Sequence, residues 1–132
     1  MTAIDAVAWI RLEAGKILVT RSRGKDVYYI PGGKREPGES DVQTLVREID
    51  EELAVAIAPA SAVHVGTFHA QADGHAAGVT VRMSCYSAEY RGPLAPSGEI
   101  EELGWLSYAD RDRVPPVDQL VFDHLHETGQ LT

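Results

Sequence analysis

One stretch constrains this 132-residue chain more than any other: Gly33 to Val55, GKREPGESDVQTLVREIDEELAV. A glycine-rich turn is followed by a single glutamate and then by a helix carrying three more. Glu48, Glu51 and Glu52 are spaced three and four apart, so they share one helical face. At about 100° per residue they fall within an arc of roughly 100°. Carboxylates this close repel one another unless a cation neutralises them, and hard oxygen ligands suit Mg²⁺ or Mn²⁺. The pattern reads as a metal site built to act on a phosphate.

The helix is locally well specified. Ser40 and Gln43 form a capping box, and Asp41 adds negative charge to the first turn. Val42, Leu45, Val46, Ile49 and Leu53 follow the 3.6-residue period and define a buried stripe, which leaves the acidic face on the other side. Pro37-Gly38 reads as a turn that brings Glu39 in beside that face. Upstream, Tyr28-Tyr29-Ile30 reads as a strand end broken by Pro31-Gly32-Gly33. Glycines at 32 and 33 let backbone approach a ligand closely.

This pattern closely resembles the signature of the Nudix hydrolases, with MutT-like pyrophosphohydrolases among them. The signature is met by Gly33, Glu39, Arg47, Glu48, Ile49, Glu51, Glu52 and Val55, while Ala54 stands where the family has glycine. A glycine just past a helix usually supplies a left-handed cap. Alanine there either keeps that conformation at a cost of roughly 1 kcal/mol or lets the helix end differently. The resemblance implies that Glu48, Glu51 and Glu52 bind the metal, with Glu48 and Glu52 closest. It implies that Glu39 helps through water or as a further ligand, and that the Gly33 carbonyl is another ligand. Family members differ in their general base: Glu51 and Glu52 are candidates within the signature. Glu99, six residues before Trp105, is the best external one, beside the plain reading of a solvated loop charge. Arg47 either holds a phosphate or orients a glutamate from behind; its spacing to Glu51 suits an ion pair and favours the second role. Arg21, Arg23, Lys25 and Lys34 cluster around the turn, and Arg23 and Lys34 are the preferred phosphate contacts. Gly32 and Gly33 would take backbone contacts, and Tyr28 or Phe68 could stack on a base, although each suits wall packing as well.

The length suits one domain over residues 1–132, with the signature at 33–55. A hydrophobic content of 44% supports a real core. With 20 acidic and 12 basic residues the net charge is −8, which argues against binding a nucleic-acid polymer. Cys85 is the only cysteine, excluding an intramolecular disulfide and a cysteine-rich zinc site. The five histidines show no ligand spacing, and no Ser-His-Asp order stands out. No signal peptide and no apolar run near 18 residues is present, so a cytoplasmic protein without membrane contact is expected. Strands are expected at 3–12, 16–22, 26–30, 61–70, 78–90 and 103–107, with a second helix over Asp118 to Glu127 carrying Leu120, Val121 and Leu125. The mixture indicates an α+β fold, and the resemblance implies an α/β/α sandwich with a mixed sheet flanked by helices, with a homodimer as a common assembly.

The expected reaction follows from charge. Anionic oxygens shield a diphosphate from nucleophiles; a divalent cation neutralises them, orients the linkage and lowers the pKa of bound water. The expectation is Mg²⁺-dependent hydrolysis of a nucleoside diphosphate linked to a group X, giving a nucleoside monophosphate and phosphate-X. A canonical or oxidised (d)NTP is the preferred small-molecule substrate. ADP-ribose or a nucleotide sugar, and a non-catalytic nucleotide-sensing module, are the alternatives. An isoprenyl diphosphate isomerase needs a reactive cysteine, and Cys85 reads as core.

Overall fold

The computed structural model describes residues 3–132. Its strands are β1 (Ala3–Trp9), β2 (Leu12–Glu13), β3 (Lys16–Ser22), β4 (Gly32–Lys34), β5 (Ala56–Ile57), β6 (Val63–Gln71), β7 (Thr80–Ser87), β8 (Tyr90–Arg91) and β9 (Ile100–Leu106). The helices are α1 (Asp41–Leu53) and α2 (Pro116–Glu127), with short 3₁₀ turns at Pro59–Ser61 and Tyr108–Arg113. Four strands form a sheet in the order β4-β1-β7-β6, three form β2-β3-β9, and β5 pairs with β8. The β1–β7 pair is parallel, with Val7 opposite Ser84, whereas the other pairings are antiparallel.

Side chains alternate across a strand, and here each face feeds its own core. In β1, Ala8 joins one cluster while Val7 and Trp9 join the other; in β3, Ile17 and Val19 oppose Leu18 in the same way. The first cluster is closed by Val117, Val121, Phe122 and Leu125 of α2, and the second by Leu45, Ile49 and Leu53 of α1. The result is the α+β, α/β/α layering expected, with a mixed sheet between two helices. Leu120, expected in the α2 stripe, is exposed instead.

Three strand expectations need correction. Residues 26–30 form no strand and contribute a single bridge between Tyr29 and Thr20. The Pro31-Gly32-Gly33 segment does not break the sheet: Gly32–Lys34 is β4, antiparallel to β1, with Gly32 opposite Ala8. The glycine makes this pairing feasible, since a Cβ on Gly32 would lie 2.0 Å from the Val7 carbonyl oxygen. β9 starts at Ile100, three residues earlier than expected.

Candidate active site

The acidic helix begins as its sequence dictates. Ser40 Oγ accepts from the Gln43 N–H at 3.1 Å, and the Gln43 side chain accepts from the Ser40 N–H at 2.9 Å. The reciprocal cap fixes the helix start, and the buried stripe of Leu45, Ile49 and Leu53 fixes its rotation. The carboxylates therefore face β4 and the turn before it. At the other end Ala54 adopts φ 57°, ψ 33°, the left-handed cap, with its N–H on the Asp50 carbonyl. Alanine thus takes the conformation that a glycine would take.

Arg47 stands behind this face. Its Nε and Nη2 reach the two carboxylate oxygens of Glu39 at 2.8 and 2.9 Å, and Nη1 reaches Glu48 Oε1 at 2.8 Å. Nη1 lies 3.5 Å from Glu51, and Nη2 donates to the Lys34 carbonyl at 3.1 Å. A planar guanidinium suits this forked arrangement better than an ammonium would. Glu39 also accepts from Thr44 Oγ1 and from the Glu36 N–H. The Arg47 hydrogen bond foremost, and then that N–H, hold its carboxyl well below the usual range, at about 2. Glu39 is fully engaged with the protein.

Glu52 is the opposite case. Among the described residues the one hydrogen bond to its carboxyl group comes from the Gly32 N–H at 3.3 Å. Burial pushes its pKa up to about 8 against that bond, and repulsion from Glu48 and Glu51 adds to the rise. Glu48 is raised too, by burial first, with Arg47 pulling the other way. Gly33 makes room for this pair: a Cβ there would come within 2.4–2.6 Å of the Glu48 carboxyl group. Among the described residues no three acidic, histidine or cysteine side chains already surround one point. The donor set nevertheless fits a hard divalent cation: two under-compensated carboxylates, all-oxygen chemistry, and backbone brought close at Gly33. Glu51 is more exposed and borders the same depression.

Glu99 comes to the site through the loop before β9. The Ser97 and Ala95 N–H groups donate to the Glu52 and Leu53 carbonyls at 2.9 and 3.1 Å, so this loop caps the acidic end of α1. Glu99 borders one depression with Glu48, Glu51 and Glu52. Arg23 fastens the loop from the other side through Gly98 O at 2.7 Å, and its N–H meets the Glu99 carbonyl. Arg23, Lys25 and Lys34 line an adjoining basic mouth with Tyr29 and Gly32. Arg21 does not join them: it is paired with Glu101 at 3.0 Å and Glu102 at 2.6 Å.

A cavity of about 240 Å³ runs from Gly32, Gly33 and Glu52 toward α2. Tyr28, expected in the substrate site, is not among its walls. Its hydroxyl donates to Glu102 at 2.8 Å and Arg113 stacks on its ring at 4.7 Å. Tyr29 lines the cavity instead. Phe68 packs edge-on against His124 on the α2 side. Asp118 on the cavity wall was not singled out by the sequence: it is 3% exposed, and its Oδ2 accepts from the Ile30 N–H at 2.7 Å. The available signal was an acid in the first turn of a helix whose neighbours Val117 and Val121 are core residues.

Fold and acidic turn-helix together define a Nudix hydrolase. The family model described as NUDIX domain matches residues 1–125, and the chain belongs to that family. Among solved structures it is similar to the E. coli ORF135 protein, with 26% identity, a TM-score of 0.78 and coverage of 98% of this chain and 92% of that one. A NUDIX hydrolase from Nitrosomonas europaea gives 21% identity, a TM-score of 0.76 and coverage of 98% and 92%. The MutT NUDIX hydrolase from Burkholderia pseudomallei gives 21%, 0.72, and coverage of 96% and 98%. No curated protein matches the sequence at a significant level. No described helix is long and apolar enough to cross a membrane.

Proposed function

We propose that this Nudix hydrolase splits a nucleoside diphosphate linked to X into a nucleoside monophosphate and phosphate-X, using Mg²⁺ (or Mn²⁺), with a canonical or modified (d)NTP as substrate. The observation that carries this reading is Glu52, a partly buried carboxylate without a counter-cation, beside Glu48 at the mouth of a cavity flanked by cations. Glu48, Glu52 and the Gly33 backbone would hold the cation, with Glu51 closing the set. When bound, the cation neutralises the diphosphate and activates water. Arg47 keeps Glu48 in place, and Glu39 keeps Arg47 in place. Arg23 and Lys34 face the outer phosphates, and Glu99 borders the acidic depression as a proton acceptor. A cytoplasmic setting and a free small-molecule nucleotide as partner complete the reading.

The test is a panel of (d)NTPs, 8-oxo-dGTP, ADP-ribose, dinucleoside polyphosphates and nucleotide sugars, incubated with Mg²⁺ and assayed for monophosphate and released phosphate or pyrophosphate. Turnover of one compound that falls by orders of magnitude in Glu52→Gln supports the reading. Unchanged turnover in that variant overturns the assignment of Glu52, and silence across the panel overturns the hydrolase.

A further inference from the structure

The strand edges of this protein are not built alike. β4 has three residues and ends on Lys34, β2, β5 and β8 have two each, and β9 carries Glu101 and Glu102. Short length and charge are common means of keeping an edge from pairing with another chain. β6 has neither. It is nine residues long and stands last in the order β4-β1-β7-β6. It lies in a run from Leu53 to Ala72 without Asp, Glu, Lys or Arg, in a chain that is 24% charged. Among the described residues, no hydrogen bond outside the ladder with β7 reaches its main chain. A bulge between His64 and Gly66 bends the start of the strand, where Val65 packs against the core. From Gly66 to Gln71 the register with β7 is unbroken, so that stretch presents a regular row of open N–H and C=O groups. Two large hydrophobic side chains left exposed flank the edge. Val63, 62% exposed, opens the strand. Leu120, 39% exposed, lies one turn before His124, whose ring packs on Phe68, so it sits on the β6 flank of α2.

We propose that the β6 edge pairs antiparallel with the β6 edge of a second copy of this chain, joining two sheets in the order β4-β1-β7-β6-β6-β7-β1-β4. Charge and symmetry select a second copy over a foreign strand. Two chains of net charge −8 repel each other, and the uncharged edge is where they can approach. Antiparallel pairing of a strand with itself has two-fold symmetry and closes after two chains. The joined sheet then ends at both sides on the three-residue β4 with its Lys34. A foreign peptide would leave the long edge bare, as a template for aggregation, whenever it departed. The axis is also constrained. A two-fold normal to the sheet keeps every side chain on its own face, and residues directly opposed share a face. The axis must therefore pass beside a residue and not between two. The regular stretch Gly66–Gln71 is centred on Phe68 and His69. With the axis at either one, His69 meets its own counterpart directly or diagonally. Gly32 and Gly33 of the active site lie on β4, at the other end of the sheet, so this pairing does not depend on the nucleotide reading.

Sedimentation velocity over roughly 1–500 μM, the range suited to a small interface, measures the assembly, and amide hydrogen exchange at both ends of that range locates it. The wild type should pass from monomer to dimer as concentration rises, with the added protection centred on Gly66–Gln71. His69→Glu and His69→Lys then separate a local contact from overall charge. One makes the chain more acidic and the other less, yet each sets like charges against each other across the axis. Both should raise the dissociation constant about tenfold, from repulsion across the strand pair and the cost of burying charge. The His69 side chain is exposed, so both variants should keep the wild-type thermal midpoint, and the wild-type exchange pattern tests the edge without any substitution. A monomer throughout the range overturns the pairing, as does growth past the dimer. So does a dimer whose added protection lies outside β6. A dimer indifferent to both charges, or weakened by glutamate and strengthened by lysine as net charge alone would dictate, overturns it as well.

Discussion

Ala54 is held in a conformation that costs an L-residue energy, so replacing it with glycine should stabilise the protein. Its backbone sits at φ 57°, ψ 33°, where a Cβ crowds the following carbonyl at a cost of roughly 1–2 kcal/mol. Glycine escapes that crowding, but its looser unfolded chain returns about 0.4–1 kcal/mol. The Ala54 side chain is exposed, so no packing is lost, and the cap hydrogen bond to Asp50 remains. The net gain from Ala54→Gly is then about 0.5–1 kcal/mol. For a chain between the usual small and medium size classes this raises Tm by about 2–5 °C, and it raises the urea midpoint with the m-value unchanged. Ala14, at φ 52° in the β2–β3 turn, provides an internal control: Ala14→Gly should give a similar gain, and the two should add, since distant sites are independent. Ala54→Val should lose stability, because a β-branched side chain tolerates this region least. Equilibrium urea unfolding of the wild type, the three single variants and the double glycine variant decides. An Ala54→Gly midpoint at or below wild type, with m constant, refutes the account of the cap.

Three further outcomes are expected. Gly33→Ala places a methyl group where the Glu48 carboxyl stands, so turnover should fall by about tenfold or more while the urea midpoint drops by less than for a core cavity; steady-state kinetics beside unfolding curves separate the two. Arg47→Lys retains charge but loses the fork to Glu39 and Glu48, and should lower kcat with a weaker apparent Mg²⁺ affinity, read from metal titrations of activity. The folded-state pKa of Glu52, about 8, lies above the ordinary carboxylate value, so the folded state holds its proton more tightly than the unfolded chain does. Without metal, its contribution to stability should therefore fall as pH rises from about 4.5 to 8, by at most a few kcal/mol. Thermal melts in chelator should show that slope in the wild type and a flatter one in Glu52→Gln.

How much of this was legible beforehand follows from how local each feature is. The acidic helix could be read directly: its cap lies within Ser40–Gln43, its stripe within one period, and its end within one residue. β4 could not, because Gly32 and Gly33 have little strand preference and pair only where β1 receives them. The choice between Tyr28 and Tyr29 turns on long-range partners: Tyr28 is held by Glu102 and Arg113, and Tyr29 by Thr20 and Asp73. Asp118 was barely legible: its hydrogen-bond partner is Ile30, 88 positions away, and within α2 only its core neighbours Val117 and Val121 set it apart from an acid favouring a helix N-terminus. Glu99 was reachable only through its distance from Trp105, and what places it physically is the Ser97 N–H on the Glu52 carbonyl.

The charges of the site are arranged unevenly, and the unevenness indicates the order in which a ligand can be held. Among the described residues Arg47 is the one cation in contact with the acidic helix face, and it compensates from one side. Glu39 is fully paired, Glu48 is shared, and Glu52 is left exposed to repulsion. The poorly compensated carboxyl groups therefore gather toward Gly32 and Gly33, where the cavity opens, and a bound cation would let them ionise. Arg23, Lys25 and Lys34 stand across the mouth. A phosphate arriving alone would be drawn by those three but would meet no cation on the glutamate side, where Glu52 holds its proton up to about pH 8. A cation between the glutamates and the phosphate satisfies both sides at once. Nucleotide affinity should accordingly rise with divalent cation concentration, and linkage requires cation affinity to rise with nucleotide by the same factor. Calorimetric titrations in both orders measure that factor, and independence of the two affinities would contradict the arrangement of charge described here.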